Sequence, residues 1–246
     1  EINIDGGTFS SENGYAFYES DTQTQIGSAL KENGLSFADA SFKGQAGAVY
    51  SKHGEAFIAS GYFSSDPGDY IMADKVVKNS DKQGYAYMVA EKTEGEVIVK
   101  PAIKEPEVTS TIEDPTAKAA AEAAAKTVDA PDIVDAANQA AQQMDDATKD
   151  AAVEQAKTEL GLDANEDVTV YTQVYLKIEP KAYDAAGKTL VMDIEPFYQL
   201  VASTATRAED IKLTDDAGKK NAVEYGEETP LTITEPMKVT VTLPEG

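Results

Sequence analysis

Apolar and aromatic residues alternate with small or polar ones in short runs over residues 1 to about 105, and one pattern repeats. An apolar residue, four small or polar positions and an aromatic residue recur at residues 4–9, 37–42 and 58–63. The first two copies are offset by 33 residues and the last two by 21. A period near 21 with two short strands per repeat is typical of a parallel β-helix, whose stacked coils bury a shared apolar stripe. A series of β-hairpins with glycine turns would leave a similar pattern.

Residues from about 114 to 161 are rich in alanine and carry signals for helix starts and stops. Asp114 followed by Pro115 is a typical N-cap with proline at the first helical position, and Gly161 is a typical left-handed stop. The signals predict three helices, over residues 115–126, 133–144 and 146–160. Their apolar stripe consists mostly of methyl groups, so we expect them to pack closely, to lean on a neighbouring β-module or to form a spacer.

Residues from about 166 to 243 return to clean alternation. Within residues 168–178 the even-numbered positions are mostly apolar, and Tyr171 and Tyr175 lie on the other face. That face is expected to receive the alanine-rich helices or to bind a ligand. Six or seven short strands with turns between them, two of them separated by Pro196, predict a small immunoglobulin-like β-sandwich.

These patterns divide the chain into three units. We expect C-terminal coils and a cap of a parallel β-helix at residues 1–105, an Ala-rich helical segment at 106–162 and an immunoglobulin-like β-sandwich at 163–246. The fold class is therefore mainly β with an α insert. Residues 101–106, which begin and end with proline, are the expected first linker. A chain of 246 residues is long enough for two or three such modules.

Charge and composition narrow the choice of partners. The chain has 44 acidic and 21 basic residues, and its formal net charge of −23 is spread evenly along it. Such a field repels phosphate backbones and anionic membrane surfaces, so nucleic acid is not an expected partner. No apolar run approaches the ~20 residues of a membrane span, which argues against membrane insertion. Cysteine is absent, so neither disulfides nor thiolate metal sites can form, and no cofactor is expected.

Residues suited to bond-breaking chemistry are scarce. His53, the only histidine, lies in a predicted turn and is expected to be a solvated surface residue. Arg207, the only arginine, lies in the third unit, away from the repeats. Loops 66–69 and 215–218 carry carboxylates that suit Ca²⁺, but neither has the spacing of a calcium loop, so turns are expected. We therefore expect no enzyme and no catalytic residues.

Exposed aromatic residues are the candidates for binding. Tyr15, Tyr18, Tyr50 and Tyr62 belong to an aromatic set spread over the repeats. Sugars stack on aromatic faces, so a row of these rings could be a glycan platform. The alternative, which we favour, is that stacked aromatics fill and cover the coils.

The sequence also resembles a known kind of protein. Residues 6–10, 60–67 and 84–89 resemble the closing coils of β-helix repeats in modular, adhesin-like cell-surface proteins of gut Firmicutes. Residues 168–194 and 200–205 resemble a module that follows those repeats. The resemblance implies a protein that is extracellular, at the cell surface or associated with the cell wall, and it carries over no catalytic residues.

The expected function is a non-enzymatic structural or adhesive module. Its expected partners are adjoining modules of the same polypeptide and a host or microbial glycan or protein. A carbohydrate-binding module that uses exposed aromatics is the first alternative. A polysaccharide-active enzyme is the second, although fold alone does not establish function.

Overall fold

The computed structural model describes residues 2–20, 34–130, 132–214, 220–232 and 238–243. Within them the chain is mainly β, with 42% strand, 20% helix and three α-helices. The predicted class, mainly β with an α insert, is confirmed at this level.

The strands of the first third of the chain lie in three stacks, and within each stack neighbouring strands pair in parallel. The stacks are β1 (Ile2–Asp5) with β4 (Leu35–Ala38), β2 (Thr8–Ser11) with β5 (Ala40–Gly44) and β7 (Gly61–Phe63), and β3 (Tyr15–Glu19) with β6 (Gly47–Ser51). Ile58 continues the first stack, because it forms parallel bridges with Phe37 and Ile71. Hairpins would instead pair consecutive strands antiparallel, so that alternative is wrong for these strands.

The registers of the first and second stacks equal the offsets of the sequence repeat. Phe9 pairs with Phe42, and Phe42 pairs with Phe63. Their rings stack with centroids 5.1 and 5.6 Å apart. Phe37, Phe42, Ile58 and Phe63 have no exposed surface and form the centre of the first hydrophobic core. The repeat therefore works as a ladder in which each ring covers the next and removes apolar area from water.

The two ends of the stacks differ. At one end β7 pairs antiparallel with β9 (Tyr87–Glu91), which pairs antiparallel with β8 (Lys75–Asn79). We call these two strands the closing pair, and they lie within residues 1–105, the range in which a cap is expected. At the other end Ile2, Phe9 and Tyr18 are 39%, 37% and 61% exposed, although each is large and apolar or aromatic.

The strands of the described residues after position 98 form one five-stranded sheet. Its strands are β10 (Val99–Ile103), β11 (Glu107–Val108), β12 (Thr169–Asp184), β13 (Thr189–Ser203) and β14 (Ala222–Pro230). Their order is β10–β12–β13–β14, with β11 also paired to β12. The described residues beyond 163 form no second sheet facing this one: residues 211–213 are not a strand, and Thr240 makes only an isolated bridge, to Asp129.

Two proline expectations are wrong. Pro101 was expected in a linker but lies buried in β10, an edge strand, where its missing N–H costs no ladder hydrogen bond. Pro196 was expected to separate two strands, yet β13 runs through it. Because the carbonyl of Pro196 accepts a hydrogen bond from the N–H of Leu231, its polar backbone edge faces away from β12, and the pairing with β12 continues undisturbed.

The three helices are α1 (Pro115–Ala125), α2 (Ile133–Gln143) and α3 (Asp146–Leu160), within one residue of the prediction. Asp114 caps α1 by accepting a hydrogen bond from the N–H of Ala117 at 2.8 Å. Gly161 ends α3 with φ 67°, which is the left-handed region that favours glycine. Two 3-10 helices, Gly68–Tyr70 and Ala208–Asp210, lie in loops.

The helices cover the even-numbered face of β12, which contradicts the expectation for Tyr171 and Tyr175. Val174 and Ile178 share a buried cluster with Ala137 of α2 and its neighbours. Tyr171 lies on the opposite face, where its hydroxyl donates to the carbonyl of Ala205 at 2.8 Å. Alanine-rich helices approach a sheet of branched aliphatic side chains closely, whereas a buried tyrosine needs a hydrogen-bond acceptor, which the loop after β13 supplies.

Candidate functional site

A cleft of about 550 Å³ lies between the third stack and the edge of the five-stranded sheet. We call it the stack–sheet cleft. Its aromatic and apolar wall includes Tyr15, Tyr50, Tyr70, Tyr87 and Ile103, and its polar end includes Asp66, Asp69, Arg207 and Glu209. Strands β3, β6 and β10 supply most of the wall, and the loops after β7 and β13 supply the polar end.

The position of the Tyr15 ring depends on a glycine in the facing strand. Tyr15 pairs with Gly47, and a Cβ built on Gly47 would lie 2.6 Å from Cε1 of Tyr15. The ring therefore lies directly over the backbone of β6, in space that any other residue would occupy. It also packs beside Tyr50, with ring centroids 5.5 Å apart and planes inclined by 45°. These contacts hold the ring in place beside the cleft.

The polar end is built from two ion pairs that link the stack to the sheet. Lys100 of β10 lies 3.1 Å from Asp66, and both side chains are about nine-tenths buried. The ammonium of Lys100 also donates to the carbonyl of Thr206 at 2.8 Å. Arg207 pairs with Asp69, and this partner raises the pKa of Arg207 above its usual value. The loop after β13 is thus tied to the loop after β7.

Glu209 adds a second carboxylate to Arg207, at 3.5 Å. Counting Asp66, Asp69 and Glu209 against Lys100 and Arg207, the polar end carries three negative and two positive side chains. It is therefore slightly negative, within a chain whose net charge is −23.

Two tyrosine hydroxyls bond to backbone carbonyls of β10 and of the loop after β13; Tyr171 is buried and Tyr87 is partly buried. The hydroxyl of Tyr87 donates to the carbonyl of Pro101 at 3.4 Å, and that of Tyr171 donates to Ala205. Burial is the first cause that raises the pKa of both hydroxyls above the ordinary value of 10.0, with Asp66 adding repulsion. Both groups therefore remain protonated donors across the physiological range.

The structure brings together three of the four tyrosines proposed from sequence as ligand-binding. The rings of Tyr15, Tyr18 and Tyr50 form a cluster with centroid separations of 5.2 to 5.8 Å. Tyr62 lies elsewhere, on β7, with its ring 6.3 Å from Tyr85. Within the cluster the rings cover one another, and Tyr15 and Tyr50 line the cleft whereas Tyr18 does not.

His53 is not a free surface side chain. Its Nδ1 lies 2.9 Å from Oε1 of Glu19, and its side chain is 28% exposed. The other carboxylate oxygen of Glu19 accepts hydrogen bonds from the N–H groups of Lys52 and His53 and from the hydroxyl of Ser51. Because that hydroxyl is directed at Glu19, the arrangement lacks a nucleophile–histidine hydrogen bond and works as a clamp on the turn after β6.

Sequence reasoning missed the polar end of the cleft. Two signals pointed to it: an Asp-Pro-Gly-Asp loop at residues 66–69, and a single arginine in a chain rich in acids. In the structure Asp66 and Asp69 each bind a basic side chain. Among the described residues no group of three or more possible metal ligands is found. The other acidic loop, at residues 215–218, lies outside them.

Comparison with protein-family models, with curated proteins and with solved structures finds no match. In the described part of the chain, no helix combines the length and the apolar character that crossing a bilayer requires. Functional conclusions therefore depend on the residues and geometry given above.

Proposed function

We propose that this chain is a non-enzymatic structural and adhesive module of an extracellular bacterial surface protein, in which the end of a parallel β-helix is joined to a helix-covered sheet. One observation carries the proposal: of three stacks of parallel strands, the second ends at an antiparallel closing pair, and the chain passes from that pair directly into the next sheet through β10. A stack that ends and is joined in this way suits a connecting module.

The open end of the stacks supports a place within a longer assembly. The ladders end in Ile2, Phe9 and Tyr18, whose side chains are partly exposed. In the described residues the outer edges of β1, β2 and β3 have no strand partner. Free strand edges beside apolar side chains are suited to receive another strand layer. An adjoining coil of the same polypeptide is the proposed occupant.

The contacts between stack and sheet support a fixed rather than a flexible joint. The polar face of α2 binds the loop between the two strands of the closing pair. Asn138 donates to the carbonyl of Tyr85 at 2.9 Å, and Asp135 accepts from the N–H of Gly84 at 2.8 Å. Together with the buried Lys100–Asp66 pair, these bonds connect all three parts of the chain. A module that holds an adhesive surface away from a cell needs such a joint.

The extracellular placement is proposed from the sequence. The chain is acidic and free of cysteine, and its repeats resemble those of adhesin-like surface proteins. Surface proteolysis of intact producing cells, followed by mass spectrometry, tests this part. Peptides of the chain released without cell lysis are the expected result, and their release only after lysis would contradict it.

The adhesive, non-enzymatic role is tested with beads that carry the purified chain. Retention of the beads is measured on wells coated with glycoproteins and polysaccharides. Released sugar is measured as new reducing ends in the same wells. We expect retention above albumin-coated wells and no sugar release. Sugar release that is lost in His53→Ala or Glu19→Gln would refute the proposal, because it would turn the clamp into a catalytic pair.

A further inference from the structure

We infer that the stack–sheet cleft is a binding site for a neutral carbohydrate chain, with a sugar ring against Tyr15 and Tyr50 and its hydroxyls on Asp69, Arg207 and Glu209. The inference rests on the adhesive part of the proposed function and names its ligand class. It differs from a platform along the outer aromatic row, because Tyr18 and Tyr62 do not line the cleft.

The size of the cleft fits such a ligand. Its volume of about 550 Å³ lies within the range of roughly 300–1,000 Å³ that small-ligand sites occupy. This space suits one or two sugar units. The cleft also has what a sugar requires: one apolar wall, and one polar end with convergent donors and acceptors.

The aromatic wall is held in place before any ligand arrives. Gly47 lets the Tyr15 ring lie on the backbone of β6, and the rings of Tyr18 and Tyr50 pack beside it. A ring fixed in this way loses little side-chain entropy when a ligand packs against it. Ile103 is 67% exposed and also lines the cleft, so a bound sugar would cover apolar area that is open to water.

The polar end can donate hydrogen bonds to the hydroxyl groups of a sugar and accept hydrogen bonds from them. Arg207 is held by Asp69 and Glu209, and a guanidinium has five N–H donors, more than these two contacts use. The carboxylates of Asp69 and Glu209 are acceptors, and their side chains are each 66% exposed, so they can reach a ligand. Neighbouring hydroxyls of a sugar can donate to a carboxylate and accept from a guanidinium at once.

The charge of the site selects against acidic sugars. Three carboxylates and one cation, Arg207, line the polar end, and the whole chain carries −23. Uronate or sulfate groups entering the cleft would meet a negative field. The ligand class is therefore neutral, unlike the uronic-acid polymers that a lyase would use.

The test is binding of purified protein to an immobilised panel of neutral oligosaccharides, namely gluco-, xylo-, galacto- and N-acetylglucosamine oligomers. Polygalacturonate and heparin are included as acidic probes, and the best neutral probe is then titrated by calorimetry. We expect Tyr15→Ala and Arg207→Gln to weaken binding at least about tenfold, a typical effect of losing a stacked ring or a charged donor. Glu209→Gln, an exposed substitution that leaves the fold intact, should weaken it by about fivefold.

Tyr62→Ala is the matched control. It removes a tyrosine ring from the strand stacks at a position that neither lines the cleft nor stacks on Tyr15 or Tyr50, so its affinity should stay within about twofold of the wild type. Unchanged circular dichroism and thermal midpoints for Arg207→Gln and Glu209→Gln show that their losses are local.

Three results would overturn the inference: no binding of any neutral oligosaccharide at millimolar concentration, tighter binding of the acidic probes, or affinity lost in the Tyr62 variant but kept in the Tyr15 and Arg207 variants. Release of sugar fragments during the titration would refute the non-enzymatic role and leave the site standing. A failure of the cleft as a binding site is therefore distinguishable from a failure of the proposed non-enzymatic function.

Discussion

The aromatic ladder makes a graded prediction for stability. Phe42 is the middle rung, fully buried, with ring centroids 4.8 to 5.6 Å from those of Phe9, Phe37 and Phe63. Phe9 is the end rung, 37% exposed, with one stacked partner. If the stacks form as described, truncating the middle rung must cost far more than truncating the end rung, although both changes remove the same atoms.

The magnitudes follow from burial. Phe42→Ala loses the transfer free energy of a whole ring, about 2–3 kcal/mol, and leaves a cavity that the facing rings cannot fill, so its expected total cost is about 4 kcal/mol. Phe9→Ala leaves no enclosed cavity and removes one stacked contact, so its expected cost is about 1 kcal/mol. Phe42→Leu keeps most of the volume and should recover more than half of the loss.

The assay is urea unfolding followed by circular dichroism and tyrosine fluorescence, since the chain has twelve tyrosines and no tryptophan. The free energy of unfolding of each variant is compared with that of the wild type. Equal costs for Phe42→Ala and Phe9→Ala, or a cost below about 1.5 kcal/mol for Phe42→Ala, would refute the ladder.

Three further predictions concern the joint between stack and sheet. Lys100→Met should lower the free energy of unfolding in urea by about 3 kcal/mol, because it leaves the buried carboxylate of Asp66 without its basic partner. Adding Asp66→Leu should restore most of the loss, and no recovery would contradict the pairing. Asn138→Ala should lower the free energy of unfolding by about 2 kcal/mol in the same assay, because the amide of Asn79 and the carbonyl of Tyr85 lose their hydrogen-bond partner. An unchanged midpoint would contradict that contact. Tyr87 and Tyr171 have raised pKa values, so the folded state keeps protons that the unfolded chain releases; stability should be unaffected below pH 10 and fall as the pH rises above it, and titration at 295 nm should show both tyrosines ionising only on unfolding.

The parts of the fold that were predictable are those encoded by local spacing. The offsets of the repeat matched the registers of the first and second stacks, because each strand must place its large side chain beside that of the strand it pairs with. Asp114 and Gly161 marked helix ends correctly, because a cap acts on backbone groups within one turn of itself. Neither inference needed knowledge of what lies across the molecule.

The errors arose where a distant partner decided the outcome. The segment 101–106 has the composition of a linker, but its first residues pair with β12 as an edge strand, and an edge strand tolerates Pro101. Tyr171 was expected under the helices, but the opposite face offered both burial and the carbonyl of Ala205. His53 was expected to be solvated, but the parallel pairing of β3 with β6 places Glu19 beside it.

The sequence by itself determined the period of the stacked strands, the bounds of the helices, the acidity and the absence of thiol chemistry, since each depends on residue type or on near neighbours. Only the tertiary structure decided which face of β12 the helices cover, how the joint is made and that Arg207 meets Asp69 beside Tyr15. The reason is physical: those contacts join segments far apart in the chain, and their energies depend on burial and pairing that arise only when the stack and the sheet pack together.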